Sequence, residues 1–110
     1  MSHGIYIYSI IRKDIPLADQ IVQTAHSAFH AGEANPECGC GLDYDIPALV
    51  LLQVPDEAAL LALHEKLKAA DIVHSTFHEP DDNMGWTSIT TVSIQGEDRK
   101  LFSNLPLWRP

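Results

Sequence analysis

The stretch "RKDIPLADQIVQTAHSAFHAG", residues 12–32, decides how this chain folds. It follows "IYIYSII" (residues 5–11), which is β-branched and aromatic with no polar face, the pattern of a strand covered on both sides. Asp14 then offers an N-cap, and Pro16 sits in a first turn where its missing N–H costs nothing. Leu17, Ala18, Ile21, Val22, Ala25, Ala28 and Phe29 make an apolar stripe that ends at Gly32, and this spacing predicts a core-facing helix of about four turns. A second stripe, Asp19, Gln23, His26 and His30, lies along the same helix. On pattern alone an Asp, a Gln and two His are a solvated face with weak i,i+4 pairs. Their position directly after a buried strand is nevertheless where α/β sheets place ligands, and a His beside an acid can serve as a general base near neutral pH.

Working outward, residues 33–47, "EANPECGCGLDYDIP", have no hydrophobic period and form a long connection. "ALVLLQV" (48–54) is a second buried strand. After Pro55, Asp56 caps a second helix whose Leu60, Leu63, Leu67 and Ala70 face inward and which ends near Asp71. "IVHSTF" (72–77) and "TSITTVSI" (87–94) flank the turn-rich "HEPDDNMG", and the tail "EDRKLFSNLPLW" has room for a short helix. Two strand–helix–strand units in succession predict parallel pairs with right-handed crossovers, and the short link before the fourth strand predicts antiparallel pairing. The expected architecture is a three-layer α/β/α sandwich around a small four-stranded mixed sheet.

Composition narrows the function. With 110 residues and 45% hydrophobic content the chain makes one domain, 1–110. Seven Lys and Arg against fifteen Asp and Glu leave a net charge of −8, which argues against strong nonspecific binding to nucleic acid or an anionic membrane. The apolar run at residues 5–11 is far below the roughly 20 residues a membrane span needs, and two cysteines in "CGC" fit a reducing compartment, so the expectation is a soluble, cytoplasmic protein.

The motif "DIPLADQIVQTAHS" resembles that of the type 2, archaeal and eukaryotic, peptidyl-tRNA hydrolases, with Asp14, Gln23 and His26 matching residue for residue. "QIVQTAH", "FHEPD" (Phe77 to Asp81) and "NLPL" resemble still more closely a group of short relatives of that family. The resemblance runs over nearly the whole chain. It implies that fold, frequent homodimers, and hydrolysis, without metal or cofactor, of the ester joining a peptide to the terminal ribose of a tRNA, so that the expected substrate is peptidyl-tRNA or a related acyl nucleotide. It further implies a catalytic set of Asp14, His26 and Gln23, an acid at Glu79 or Asp81, and Thr91 on the last strand. One position departs: Asp19 stands where the family carries a lysine. Arg12 and Lys13, before the same helix, are candidate substitutes for phosphate binding, with Arg99 and Lys100 completing a small patch. The alternative is a catalytically inactive binding module, or a homodimeric interaction protein, on the same fold.

Other features weigh less. Cys38 and Cys40 lack the spacer and second pair of a zinc motif, and "HEPDDN" lacks the spaced ligands of a calcium loop, so no metal is assigned. Thr87 and Thr90 fit a strand by propensity alone, and His64 reads as an edge residue of the second helix. Trp86 and Trp108 read as core or dimer-contact aromatics, and an apolar patch near "LPLW" predicts a homodimer.

Overall fold

The computed structural model describes residues 5–35 and 47–110. Four strands and two long helices follow in the order β1 (Tyr6–Arg12), α1 (Leu17–Ala34), β2 (Ala48–Val54), α2 (Glu57–Ala69), β3 (His74–Glu79) and β4 (Gly85–Thr91). Short 3₁₀ segments, Asp81–Asn83 and Gly96–Phe102, precede and follow β4. The sheet order is β2-β1-β4-β3, with β1 and β2 parallel and β4 antiparallel to both its neighbours. The expected mixed four-stranded sheet is therefore present, with a helix on each side. The third and fourth strands reach further into the turn than "IVHSTF" and "TSITTVSI" suggest, because Glu79 still pairs with Gly85. Among the described residues no helix is long and apolar enough to cross a membrane.

The face under α2 forms by the ordinary rule. Asp56 caps the helix by accepting a hydrogen bond from the Ala59 N–H at 2.9 Å, and Leu60, Leu63 and Leu67 point inward at helical spacing. They pack on Tyr8, Ile10, Leu52, Val54 and Ile89, with Phe102 stacked on the Tyr8 ring. Ala70, expected to face inward, is exposed.

The face under α1 is inverted relative to the sequence reading. Gln20, Gln23, Ser27 and Ala31 are the buried residues of the helix, Gln23 at 2% exposure, while Ile21 and Phe29 are 61% and 67% exposed and Leu17 and Val22 are also open. The cause lies in the sheet. Its residues beneath α1 include Ser9, Thr87, Ser88 and Thr90, whose hydroxyls need partners once buried. Ser27 Oγ and Ser9 Oγ each lie 2.8 Å from Thr90 Oγ1, and Ser88 Oγ donates to the Gln23 main-chain carbonyl at 2.7 Å. Gln20 ties the chain entering the helix to the tail, donating to the Ile15 carbonyl at 2.8 Å and accepting from Trp108 Nε1 at 2.8 Å. Small side chains on both sides let the helix approach closely enough for these direct bonds. Asp14 does not cap the helix: its carboxylate binds Arg12 instead, and Pro16 is the capping residue with no side-chain bond.

Candidate active site

Gln23 is the residue around which a site is built. Its amide nitrogen donates to Glu79 Oε1 at 3.2 Å, and its amide oxygen accepts from Thr87 Oγ1 at 3.0 Å. Glu79 ends edge strand β3, and Thr87 occupies the extra position of a β-bulge, since Phe77 pairs with Ser88 while His78 pairs with Trp86. The bulge turns both Thr87 and Ser88 toward α1, so that one helical turn is gripped at its side chain and at its main chain. The result is a relay from a fully buried hydroxyl through a buried amide to a half-buried carboxylate.

His26 and His30 lie on the same side of α1 and rest on Phe77, with ring centroids 4.5 and 5.4 Å from it. Both imidazoles are exposed. Beside them a cleft of about 510 Å³ runs along the β3 edge, lined by His30, Glu33, Phe77, His78 and Trp86 among others. The helix stripe read from the sequence thus splits: Gln23 is buried in the polar layer, Asp19 is half-buried, and the two imidazoles stand in solvent over an aromatic ring.

Of the two acids offered for the catalytic set, Glu79 is the one in contact with Gln23. Asp81 sits exposed in the 3₁₀ turn, where its main-chain carbonyl accepts from the Met84 N–H. Thr91 stands apart. It lies four residues beyond Thr87, about 13 Å along the strand, and is buried with its hydroxyl donating to the Val92 carbonyl and accepting from the Tyr8 N–H. Asp14 also takes a different part from the one expected. Its carboxylate accepts from Arg12 Nε and Nη2 at 2.8 and 3.0 Å, and among the described contacts it has none with His26. The hydrogen bond to Arg12 holds the Asp14 carboxyl below its ordinary range and raises the guanidinium above its own.

Arg12 is committed to the scaffold. Beyond its fork to Asp14 it donates through Nη1 to the Met84 and Trp86 carbonyls, clamping the start of β4 to the end of β1. Glu57, unmarked in the sequence, accepts from the Trp86 N–H at 2.8 Å on the same segment. Gly85 sits there at φ +78°, where a residue with a Cβ would be strained, and an added Cβ would also have to displace the Glu57 carboxylate. Lys13 donates to the Arg109 carbonyl and lies 5.3 Å from the Trp108 ring. Arg99 stacks on Tyr6 at 3.8 Å, at the opposite end of β1 and about 20 Å from Arg12 along the strand. Lys100 pairs with Glu97 at 3.0 Å. Arg12 and Arg99 are therefore held at opposite ends of β1.

Thr87 and Phe77 were not singled out from the sequence as site residues, and propensity carries no signal for a bulge that redirects a threonine. Cys38 and Cys40 lie outside the described residues.

No family model matches the chain, and no curated protein matches it. Among solved structures it is similar to a protein of unknown function, Atu0240 from Agrobacterium tumefaciens str. C58. The two share 15% identity with a TM-score of 0.72, over 96% of this chain and 98% of that one. At that identity the likeness speaks for the fold alone.

Proposed function

We propose that the chain is a type 2 peptidyl-tRNA hydrolase-like ester hydrolase in which Glu79 is the base. The observation that carries this reading is the Thr87–Gln23–Glu79 relay, in which a half-buried carboxylate is held by a buried amide that is itself bonded at its other end. Such a support removes conformational freedom from the reacting group, as an orienting partner does in other acid–base sites. In this reading water attacks the ester carbonyl carbon and gives its proton to Glu79. The carbonyl oxygen carries the negative charge until the bond to the ribose oxygen breaks, and the ribose oxygen then takes up the proton held by Glu79. His26, exposed one turn beyond Gln23, positions the substrate against Phe77. Asp19 opposes a nucleotide phosphate near the helix N-terminus, so turnover of peptidyl-tRNA is slow, and Asp19→Lys raises it roughly tenfold, an effect that shrinks with added salt.

The test is release of an N-acetylated amino acid from its tRNA, followed for the wild type, Glu79→Gln and Asp19→Lys. Loss of roughly 10²- to 10⁴-fold in Glu79→Gln is the expected result. Unchanged hydrolysis in that variant removes Glu79 from the mechanism.

One observation favours a second reading, a homodimeric binding module on the same scaffold. The outward stripe of Leu17, Ile21, Val22 and Phe29 is apolar and continuous along α1, and such a stripe can pack against its own copy about a two-fold axis. Sedimentation of wild type and Phe29→Glu at matched concentration tests it: a dimer made monomeric by the substitution supports the interface, and a wild-type monomer excludes it.

A further inference from the structure

A second concavity lies away from the Glu79 group, at the carboxyl ends of the parallel strands β1 and β2. Here α1 leaves toward one side of the sheet and α2 toward the other, the place where open α/β sheets leave a crevice for ligands. The cavity, about 680 Å³, runs between α2 and the segment after Phe102. Its walls are mainly apolar, built by Val54, Ala59, Ala62, Leu63, Leu101 and Leu105. Among all its lining residues the charged ones are Lys13 and Lys66, with no acid present. In a chain where acids outnumber bases fifteen to seven, that exclusion is a local reversal of the overall charge.

The lysines are also short of counter-charge. Arg12, Lys68 and Lys100 are paired with Asp14, Glu65 and Glu97. Among the described residues no carboxylate pairs with Lys13 or Lys66. Among the described residues Lys13 donates to a main-chain carbonyl and lies over the face of Trp108, contacts that bring no carboxylate to it. Glu65, the acid adjacent to Lys66 in sequence, turns to Lys68 at 3.6 Å.

We propose that this cavity binds an organic monocarboxylate with an apolar body, the carboxylate held between Lys13 and Lys66 and the body lying along the alanine and leucine walls. Apolar burial supplies most of the affinity, and the two ammonium groups select the head and fix its orientation. A neutral ligand of equal length forfeits the head contacts. The site is independent of the ester hydrolase reading, since none of its residues belongs to the Glu79 group.

Decanoate, decanamide and decyl phosphate are the probes, titrated calorimetrically into the whole chain, with amide chemical-shift mapping to locate the site. Decanoate is expected to bind saturably at a single site, roughly tenfold or more tighter than decanamide, and Lys13→Gln and Lys66→Gln each to weaken it by a similar factor. Ala62→Trp, an exposed helical position on the cavity wall, is expected to block binding with the melting temperature retained. Equal affinity for decanoate and decanamide overturns the proposal, as does binding insensitive to both lysines or to Ala62→Trp. Preference for decyl phosphate over decanoate overturns the choice of carboxylate, and no saturable binding overturns the site.

Discussion

The two faces of the sheet obey opposite rules. Under α2 the sheet offers Tyr8, Ile10 and Ile89, and the helix answers with leucines at helical spacing. Under α1 it offers Ser9, Ser88 and Thr90, and the helix turns its glutamines and a serine inward, leaving leucine, isoleucine and phenylalanine in solvent. The first arrangement is sustained by area removed from water, which tolerates small errors in geometry. The second depends on each buried polar atom finding its partner, and fails stepwise when one is removed. A core made that way fixes positions more narrowly than an apolar one, and Gln23 within it holds Glu79, the base of the proposed reaction.

This contrast is sharpened most by truncating the α2 face. Leu67→Ala, at a position with no solvent exposure, is expected to cost about 2–5 kcal/mol in denaturant unfolding, because it combines lost transfer energy with a cavity. Ser27→Ala, equally buried under α1, is expected to cost only about 1 kcal/mol, since Thr90 keeps its bond to Ser9. Equal losses at the two sites would erase the distinction between the faces.

Legibility from sequence followed the same division. The α2 side was readable because pattern and propensity agreed: an Asp56 cap, leucines at 60, 63 and 67, and strand β2 with its observed limits. Helix α1 was readable as a helix but not in its rotation. Amphipathicity assumes that a helix meets an apolar surface, and here the hydroxyls of Ser9, Ser88 and Thr90 supply a polar one. Those residues look like ordinary strand residues one at a time, and only the pairing of β1 with β4 brings them under one helix. Gln23 and the pair Glu79 or Asp81 stood out as site candidates through the family resemblance, while Thr87, delivered by a bulge, did not, and Arg12, a candidate phosphate ligand by position, instead donates to Asp14, Met84 and Trp86.

The smallest effect concerns pH and the polar contact on the α2 side. His74 Nδ1 lies 2.7 Å from the Ile72 carbonyl and must donate to it, so its Nε2 is the acceptor facing His64 Nδ1 at 2.8 Å. Thr76 Oγ1 lies 3.2 Å from the same His64 nitrogen. Burial pushes the His74 imidazole below its ordinary value of 6.5, His64 and Lys68 push it the same way, and the Ile72 carbonyl opposes them. The unfolded chain therefore binds a proton at a pH where the folded one resists it. The contribution is fully present above about pH 6.5 and declines as pH falls toward the folded value. The expected outcome is a lower denaturant midpoint at about pH 5.5 than at about pH 7.5, with a smaller difference in His74→Gln. An unchanged difference in that variant would assign the pH dependence elsewhere.

The most direct test of the central claim, that the polar layer under α1 serves to hold Glu79, is the kcat/KM of Gln23→Leu for an N-acetylated aminoacyl-tRNA, measured beside Ser27→Ala. Both substitutions disturb the same layer, but only Gln23 touches Glu79. The account predicts that Gln23→Leu loses activity nearly as far as Glu79→Gln through kcat, while Ser27→Ala keeps it within a few-fold, roughly 1 kcal/mol. Gln23→Leu retaining wild-type kcat/KM, or a wild-type protein that releases no amino acid at all, would contradict it.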